Sequence, residues 1–397
     1  MYQNLAVFAA FLLCYSIFAG RFESRLLNGP LLFMLAGLLL GPAALGLLQP
    51  NIDKDGIKVL AELTLAIVLF GDAANANFKV LRTYEWLPLR LLLIGLPLTL
   101  LAGWLLGCWL LPEVPLLELA ILATLLAPTD AALGKAVVSN PAVPAAVREG
   151  LNVESGLNDG ICVPVLLVLI ALHADLQAHA PLSLAASLVI EELGIGALVG
   201  ASLALLARQL LRLSQQHGWD LPIWSQLTLP GLALLSFALA QAIGGSGFIA
   251  AFVGGLLTGY LLGEQKQHFL EAGEEISSLL SVITWLVFGA IVIPKAWSSF
   301  TLEIWLYALL SLTLVRMLPV YLSLLGTRLD LEVRLFIGWF GPRGLATMVF
   351  AVMVMDADLS AQNSVLATAI CTVLLSVLLH GLSATPWAAR LGRRPAA

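Results

Sequence analysis

Charge is what this chain has least of. Asp, Glu, Lys and Arg make up 11% of its 397 residues while 60% are hydrophobic, where a soluble globular chain carries about 25% charged residues. With a mean hydropathy of +0.95, an ordinary soluble domain is excluded and an all-α polytopic membrane protein is expected. Basic clusters are also missing. The net charge is −5 and the Lys and Arg residues are scattered, which removes nucleic acid as a partner and leaves the lipid bilayer. The four cysteines, Cys14, Cys108, Cys162 and Cys371, stand singly in apolar runs, without the close spacing of a metal site or a disulfide framework, so no cofactor is expected. No Lys or Arg precedes the first apolar run, which argues for a retained helix rather than a cleaved signal peptide. No hydrophilic stretch is long enough for a soluble output domain, so a receptor that only senses ions has nothing to signal with.

What is present is a succession of apolar runs. Taking about 20 residues to cross a bilayer, spans are expected near 4–20, 28–48, 57–75, 86–111, 116–139, 149–172, 185–213, 222–243, 247–262, 275–293, 299–325, 331–355 and 362–385. That is about thirteen, followed by a short tail at 386–397. Cytoplasmic loops collect Lys and Arg. With the N-terminus outside, the inner segments hold Arg21, Arg25, Lys79, Arg82, Arg90, Lys135, Arg148, Arg208, Arg212, Lys266, Arg328, Arg334, Arg390, Arg393 and Arg394, and the outer ones only Lys54, Lys58 and Lys295. The expected setting is therefore the cell (inner) membrane, crossed many times, with the C-terminus cytoplasmic.

Two spans carry a proline beside a charge in mid-run: Leu126-Ala127-Pro128-Thr129-Asp130 and Phe340-Gly341-Pro342-Arg343-Gly344. Proline removes a backbone donor and breaks the helix, and irregular backbone in lipid survives only where protein or a cavity surrounds it. Arg90 with Pro97 and Arg316 with Pro319 echo each other one span earlier. Spans 4 to 6 and 11 to 13 thus read as inverted repeats, whose paired interruptions point to a transporter's central site.

The most informative segment is Glu154-Ser155-Gly156-Leu157-Asn158-Asp159-Gly160, running into an apolar stretch. A charge inside a membrane helix costs a few kcal/mol and is a functional-site hypothesis by default. Residues four apart share a helix face, so Ser155 lies under Asp159 and Glu154 under Asn158. A desolvated carboxyl takes a proton more readily, and an ionised one with hydroxyl and carbonyl oxygens suits a hard cation such as Na+. Asp159 can therefore trade one for the other, with Ser155, Thr129 and Asp130 supplying further oxygens. The competing reading of Thr129 and Asp130 is a helix cap inside the fold. Arg343 needs a carboxylate, and Glu154 is the candidate. Asp72 and Arg316 are further intramembrane charges, either on the ion path or in a structural pair.

These segments, with Leu-Phe-Gly-Asp-Ala at 69–73 and the glycine-rich run at 246–255, resemble the signatures of the NhaP-type sodium/proton antiporters, bacterial and archaeal relatives of the animal sodium/proton exchangers. The resemblance covers nearly the whole chain. It implies two crossed, unwound helices, an ion-transport core near 86–172 and 299–385, dimerisation helices near 4–75 and 185–293, a homodimer, and an elevator-like movement. It also implies Asp159 as the carboxylate that binds cation and proton, a Glu154–Arg343 ion pair, and electroneutral exchange, since Asn158 stands where electrogenic relatives carry a second Asp. Asp72 stands where some relatives carry Glu. Two other readings compete. One is an ion channel. The other is an intramembrane serine protease built on Gly244-Gly245-Ser246-Gly247 with His380 as base, although glycines in membrane helices more often serve packing. His173, His179, His217 and His268 are expected in loops.

Overall fold

The computed structural model describes residues 2–22, 28–49, 54–76, 86–130, 133–134, 137, 140, 143–178, 182–263 and 266–392. Arg25, Lys79, Arg82, Lys135, His179, Arg393 and Arg394 lie outside them. Among the described residues all regular structure is helical. The helices are α1 (Tyr2–Phe22), α2 (Gly29–Leu40), α3 (Lys54–Asn75), α4 (Trp86–Leu110), α5 (Leu116–Leu125), α6 (Ala145–Ala178), α7 (Leu182–His217), α8 (Thr228–Ala242), α9 (Gly247–Leu262), α10 (Lys266–Val287), α11 (Leu302–Ser323), α12 (Leu331–Trp339), α13 (Leu345–Val354) and α14 (Gln362–Gly392). Among the described residues seven helical stretches are long and apolar enough to cross a membrane, and five shorter apolar helices accompany them. Spans interrupted by breaks register as short helices, so length alone counts fewer than the sequence expects.

Both expected breaks are present. α5 stops at Leu125, three residues before Pro128, and α12 stops at Trp339, with residues 340–344 irregular before α13 begins at Leu345. Each preceding helix, α4 and α11, contains one wide turn, at Leu91–Gly95 and Ser311–Val315. Such π-turns commonly mark functional sites, and the second directly precedes Arg316. Each following helix, α6 and α14, is long and runs unbroken through a proline, Pro164 and Pro386. The two triplets therefore share an order of wide turn, break and long helix. Residues 386–392, expected in the tail, continue α14.

The chain divides into two compact units, one of Met1–Lys58, Tyr84–Ser155 and Ser281–Ala397, the other of Val59–Thr83 and Gly156–Leu280. In the first, Leu87, Val147, Val320, Phe336, Phe340 and Ala388 belong to one apolar core, joining α4, α6, α11, α12, the second break and α14. α2 and the end of α10 approach backbone to backbone: a Cβ on Gly289 would fall on the Met34 carbonyl, and one on Gly37 on that of Leu286. In the second unit, Ile67, Phe70 and Ala74 of α3 share a core with residues of α8, α9 and α10. Gly255 and Gly259 sit against the Phe70 and Ala74 carbonyls, the small-residue spacing that lets apolar helices approach closely.

Candidate functional site

In the first unit the two breaks meet. The Asp130 amide donates to the Pro342 carbonyl (2.8 Å). The Asp130 carboxylate accepts from the Leu345 amide (2.8 Å) and the Leu133 amide (3.1 Å). Leu345 is the first residue of α13, and no side chain of α13's own N-terminus caps it. An acidic group is thus held at the positive end of that helix, where such charges are stabilising. The reciprocal contact is made by Arg343, whose Nη1 donates to the carbonyls of Ala127 (2.8 Å) and Pro128 (3.2 Å), just beyond the C-terminal end of α5. Each break therefore supplies the charge that the other's helix end calls for. Glycine is required at the crossing: a Cβ on Gly344 would fall on the Asp130 carboxylate, and one on Gly341 on the Arg316 guanidinium.

α6 adds the next layer. Ser155 Oγ donates to the Thr129 carbonyl (2.6 Å), the next carbonyl after those taken by Arg343. Thr129, Asp130, Leu151, Ser155, Phe340 and Pro342 all line a cavity of about 10 Å3, the room of about one water molecule. Thr129, Asp130 and Ser155, three residues expected to hold the cation, are thereby brought together. Asp130 caps α13 and also lines the cavity.

One expectation is corrected. Glu154 does not pair with Arg343; it accepts two hydrogen bonds from Arg316, at 2.6 Å to Nη1 and 2.8 Å to Nη2, with both side chains 2% exposed. Two parallel N–H···O bonds match the planar guanidinium to the carboxylate. Arg343, fully buried, has helix-end carbonyls among its partners instead. The sequence offered two intramembrane arginines for one glutamate and nothing local to choose between them.

Asp72, Asn158 and Asp159 belong to the second unit. Asn158 and Asp159 are buried in α6, at 1% and 5% exposure. Asp72 of α3 packs on α6 at Gly156, where an added Cβ would stand 3.5 Å from the Asp72 Cβ. Gly156 and Asp159 are three apart and so lie on neighbouring parts of one helix face. Gly160 leaves room for the Phe252 ring of α9. A larger cavity of about 50 Å3 in this unit is bordered by Asp72, Asn75, Glu274 and Ser277.

Other assignments shift with the structure. Ser246 caps α9, its Oγ accepting from the Ile249 amide at 3.4 Å. His380 is buried in α14 between Ser376 and the Trp339 carbonyl, so both residues of the protease reading have structural work. His173 lies inside α6 and is buried, and His268 is helical in α10; loops were expected for both. Sequence reasoning missed Ser376 and the closing role of His380. Their signal was the spacing: Ser364, Thr368, Thr372, Ser376 and His380 recur every fourth residue in an otherwise apolar helix.

Broken helices that exchange charges within an apolar bundle, and a long apolar helix that carries buried Asn158 and Asp159, are features of a multi-pass membrane transporter of cations and protons. The model of the family described as "Sodium/hydrogen exchanger, transmembrane" matches residues 7–390, so the chain belongs to that family. Among its relatives is the K(+)/H(+) antiporter NhaP2 of Shewanella sp. (strain ANA-3), 28% identical over 397 residues, covering 98% of this chain and 67% of the relative. A probable Na(+)/H(+) antiporter of Schizosaccharomyces pombe is 25% identical over 382 residues, covering 89% of this chain and 48% of that one. The sodium proton antiporter MjNhaP1 of Methanocaldococcus jannaschii, solved at pH 8, has the same fold, with a TM-score of 0.78 at 23% identity over 99% of each chain.

Proposed function

We propose that this chain exchanges one monovalent cation, Na+ or K+, for one proton by alternating access. Asp159 is the carboxylate that both ions share. Thr129, Ser155 and Asp130 of the first unit, and Asn158 and Asp72 of the second, are the further polar residues of this reading. The observation that carries the reading is the first break: an irregular backbone inside an apolar bundle, its Thr129 carbonyl held by Ser155, around a cavity of about 10 Å3. A site that holds either ion but not both couples their movement without further parts. Asn158, neutral beside Asp159, supports an electroneutral exchange. Glu154 and Arg316 neutralise each other and hold α6 to α11.

The transport core spans about 86–172 and 299–385 and moves against dimerisation helices at about 4–75 and 185–293 of a homodimer. It sits in the inner membrane with the N-terminus outside. The relatives' names divide between potassium and sodium, so the decisive assay offers each cation in turn. Purified protein in vesicles with a trapped pH dye should show a saturable proton movement driven by Na+ or K+ and insensitive to membrane potential. Asp159→Asn should reduce it to the level of empty vesicles while the protein stays monodisperse. Exchange retained in that variant would overturn the reading, and a non-saturable conductance would favour a channel.

A further inference from the structure

Among the backbone groups that the second break takes out of the helix are the Trp339 carbonyl, which accepts from the Gly341 amide (2.8 Å), and the Arg343 amide. Both are met from one face of α14. The Arg343 amide donates to Ser376 Oγ (2.7 Å), Ser376 Oγ lies 3.1 Å from His380 Nδ1, and His380 Nε2 lies 2.9 Å from the Trp339 carbonyl. Ser376 and His380, one turn apart, are 0% and 1% exposed. The hydrogen positions follow from which groups can only give or only take. An amide only donates, so Ser376 Oγ accepts there, and His380 Nδ1 lies between that hydroxyl (3.1 Å) and the Ser376 carbonyl (3.0 Å). A carbonyl only accepts, so Nε2 carries a hydrogen toward Trp339.

We propose that His380 is a positioning residue of the transport site, an imidazole that with Ser376 splints the 340–344 break. The series runs from the Trp339 carbonyl through His380 and Ser376 to the Arg343 amide. It continues through the Arg343 side chain to the carbonyls of Ala127 and Pro128, which adjoin the cation-binding pair Thr129 and Asp130. His380 thus acts on the cation's oxygens through Arg343 and touches neither ion. It belongs to no hydrolytic pair, because both ring nitrogens face the groups that close the break.

This inference rests on the antiport reading, and two readouts keep them apart. The first is the nitrogen NMR signal of His380 in the reconstituted protein, identified by its loss in His380→Gln. A hydrogen on Nε2 throughout the working pH range is expected, and a ring that carries none there overturns the proposal whatever the protein transports. The second is vesicle exchange with Na+ and K+. His380→Leu and Ser376→Ala should each raise the apparent cation KM about tenfold, or about 1.4 kcal/mol, at a maximal rate per folded protein near wild type. The double variant should be no worse than the poorer single one, since serial links do not add. His380→Gln, which still offers an N–H to Trp339, should recover most of the affinity. An unchanged KM with less folded protein, or additive effects, would reduce His380 to packing. Wild-type vesicles that move neither cation would sink the antiport reading while leaving the tautomer measurement intact.

Discussion

The two helix breaks solve one problem with different materials. At the first, beyond α5, the freed carbonyls of Ala127, Pro128 and Thr129 are taken by the Arg343 guanidinium and the Ser155 hydroxyl. At the second, between α12 and α13, the Trp339 carbonyl accepts from the Gly341 amide and from His380, and the Arg343 amide donates to Ser376, both side chains belonging to α14. Both breaks border one cavity, but its polar wall, Thr129, Asp130 and Ser155, comes from the first break and α6, while the second contributes Phe340 and Pro342 and is braced from α14 by a serine and an imidazole. An irregular backbone in an apolar bundle can thus serve as a site or as a support, and the nature of the groups that satisfy it decides which.

The largest test of that contrast is the ion pair beneath the first break. Glu154→Gln leaves Arg316 buried without a carboxylate, which costs about 3–5 kcal/mol. The melting temperature in detergent should fall by roughly 10 °C, and Glu154→Met with Arg316→Met should regain much of it. Gly344→Ala comes next, because its Cβ would displace the Asp130 carboxylate. Overpacking of this kind costs roughly 1–3 kcal/mol, and both melting temperature and cation KM should worsen. Gly231→Ala, with open space around it, should be neutral or slightly stabilising, since Ala is the better helix former by roughly 0.5–1 kcal/mol. Ser155→Ala removes one hydrogen bond from the first break, worth about 1 kcal/mol; the cation KM should rise about fivefold with stability little changed. If it lowers stability and leaves KM alone, the first break is a support like the second. The smallest effect belongs to Lys58→Ala, which removes an exposed ion pair with Asp356. Such pairs contribute under about 1 kcal/mol, and neither readout should move appreciably.

The breaks were legible in the sequence because proline acts locally: Pro128 and Pro342 each disrupt their own neighbourhood whatever the rest of the chain does. Burial of Asp159 was legible for a similar reason, from the apolar run that follows it. The partner of Glu154 was not, because Arg316 lies 162 residues away and Arg343 was chemically equivalent. The fold chose between them by placing Arg316 beneath Gly341 and turning Arg343 toward α5. The Ser376–His380 series was half legible: its four-residue spacing is visible, but its purpose depends on a break some 40 residues earlier. The depth of His173 was missed because α6 runs on to Ala178, past the length a single span needs.

The reciprocal capping of the breaks has a consequence for synthesis. Ala127 and the Arg343 that holds its carbonyl are 216 residues apart. At about 5–20 residues per second, the first break waits on the order of tens of seconds before its partner is made. Throughout that interval the carbonyls of Ala127 and Pro128 lack the guanidinium they accept from and cannot settle in bare lipid. The nascent chain must keep this segment wet, or shielded by the insertion machinery, until α14 has emerged, which makes the late helices the step that completes the bundle.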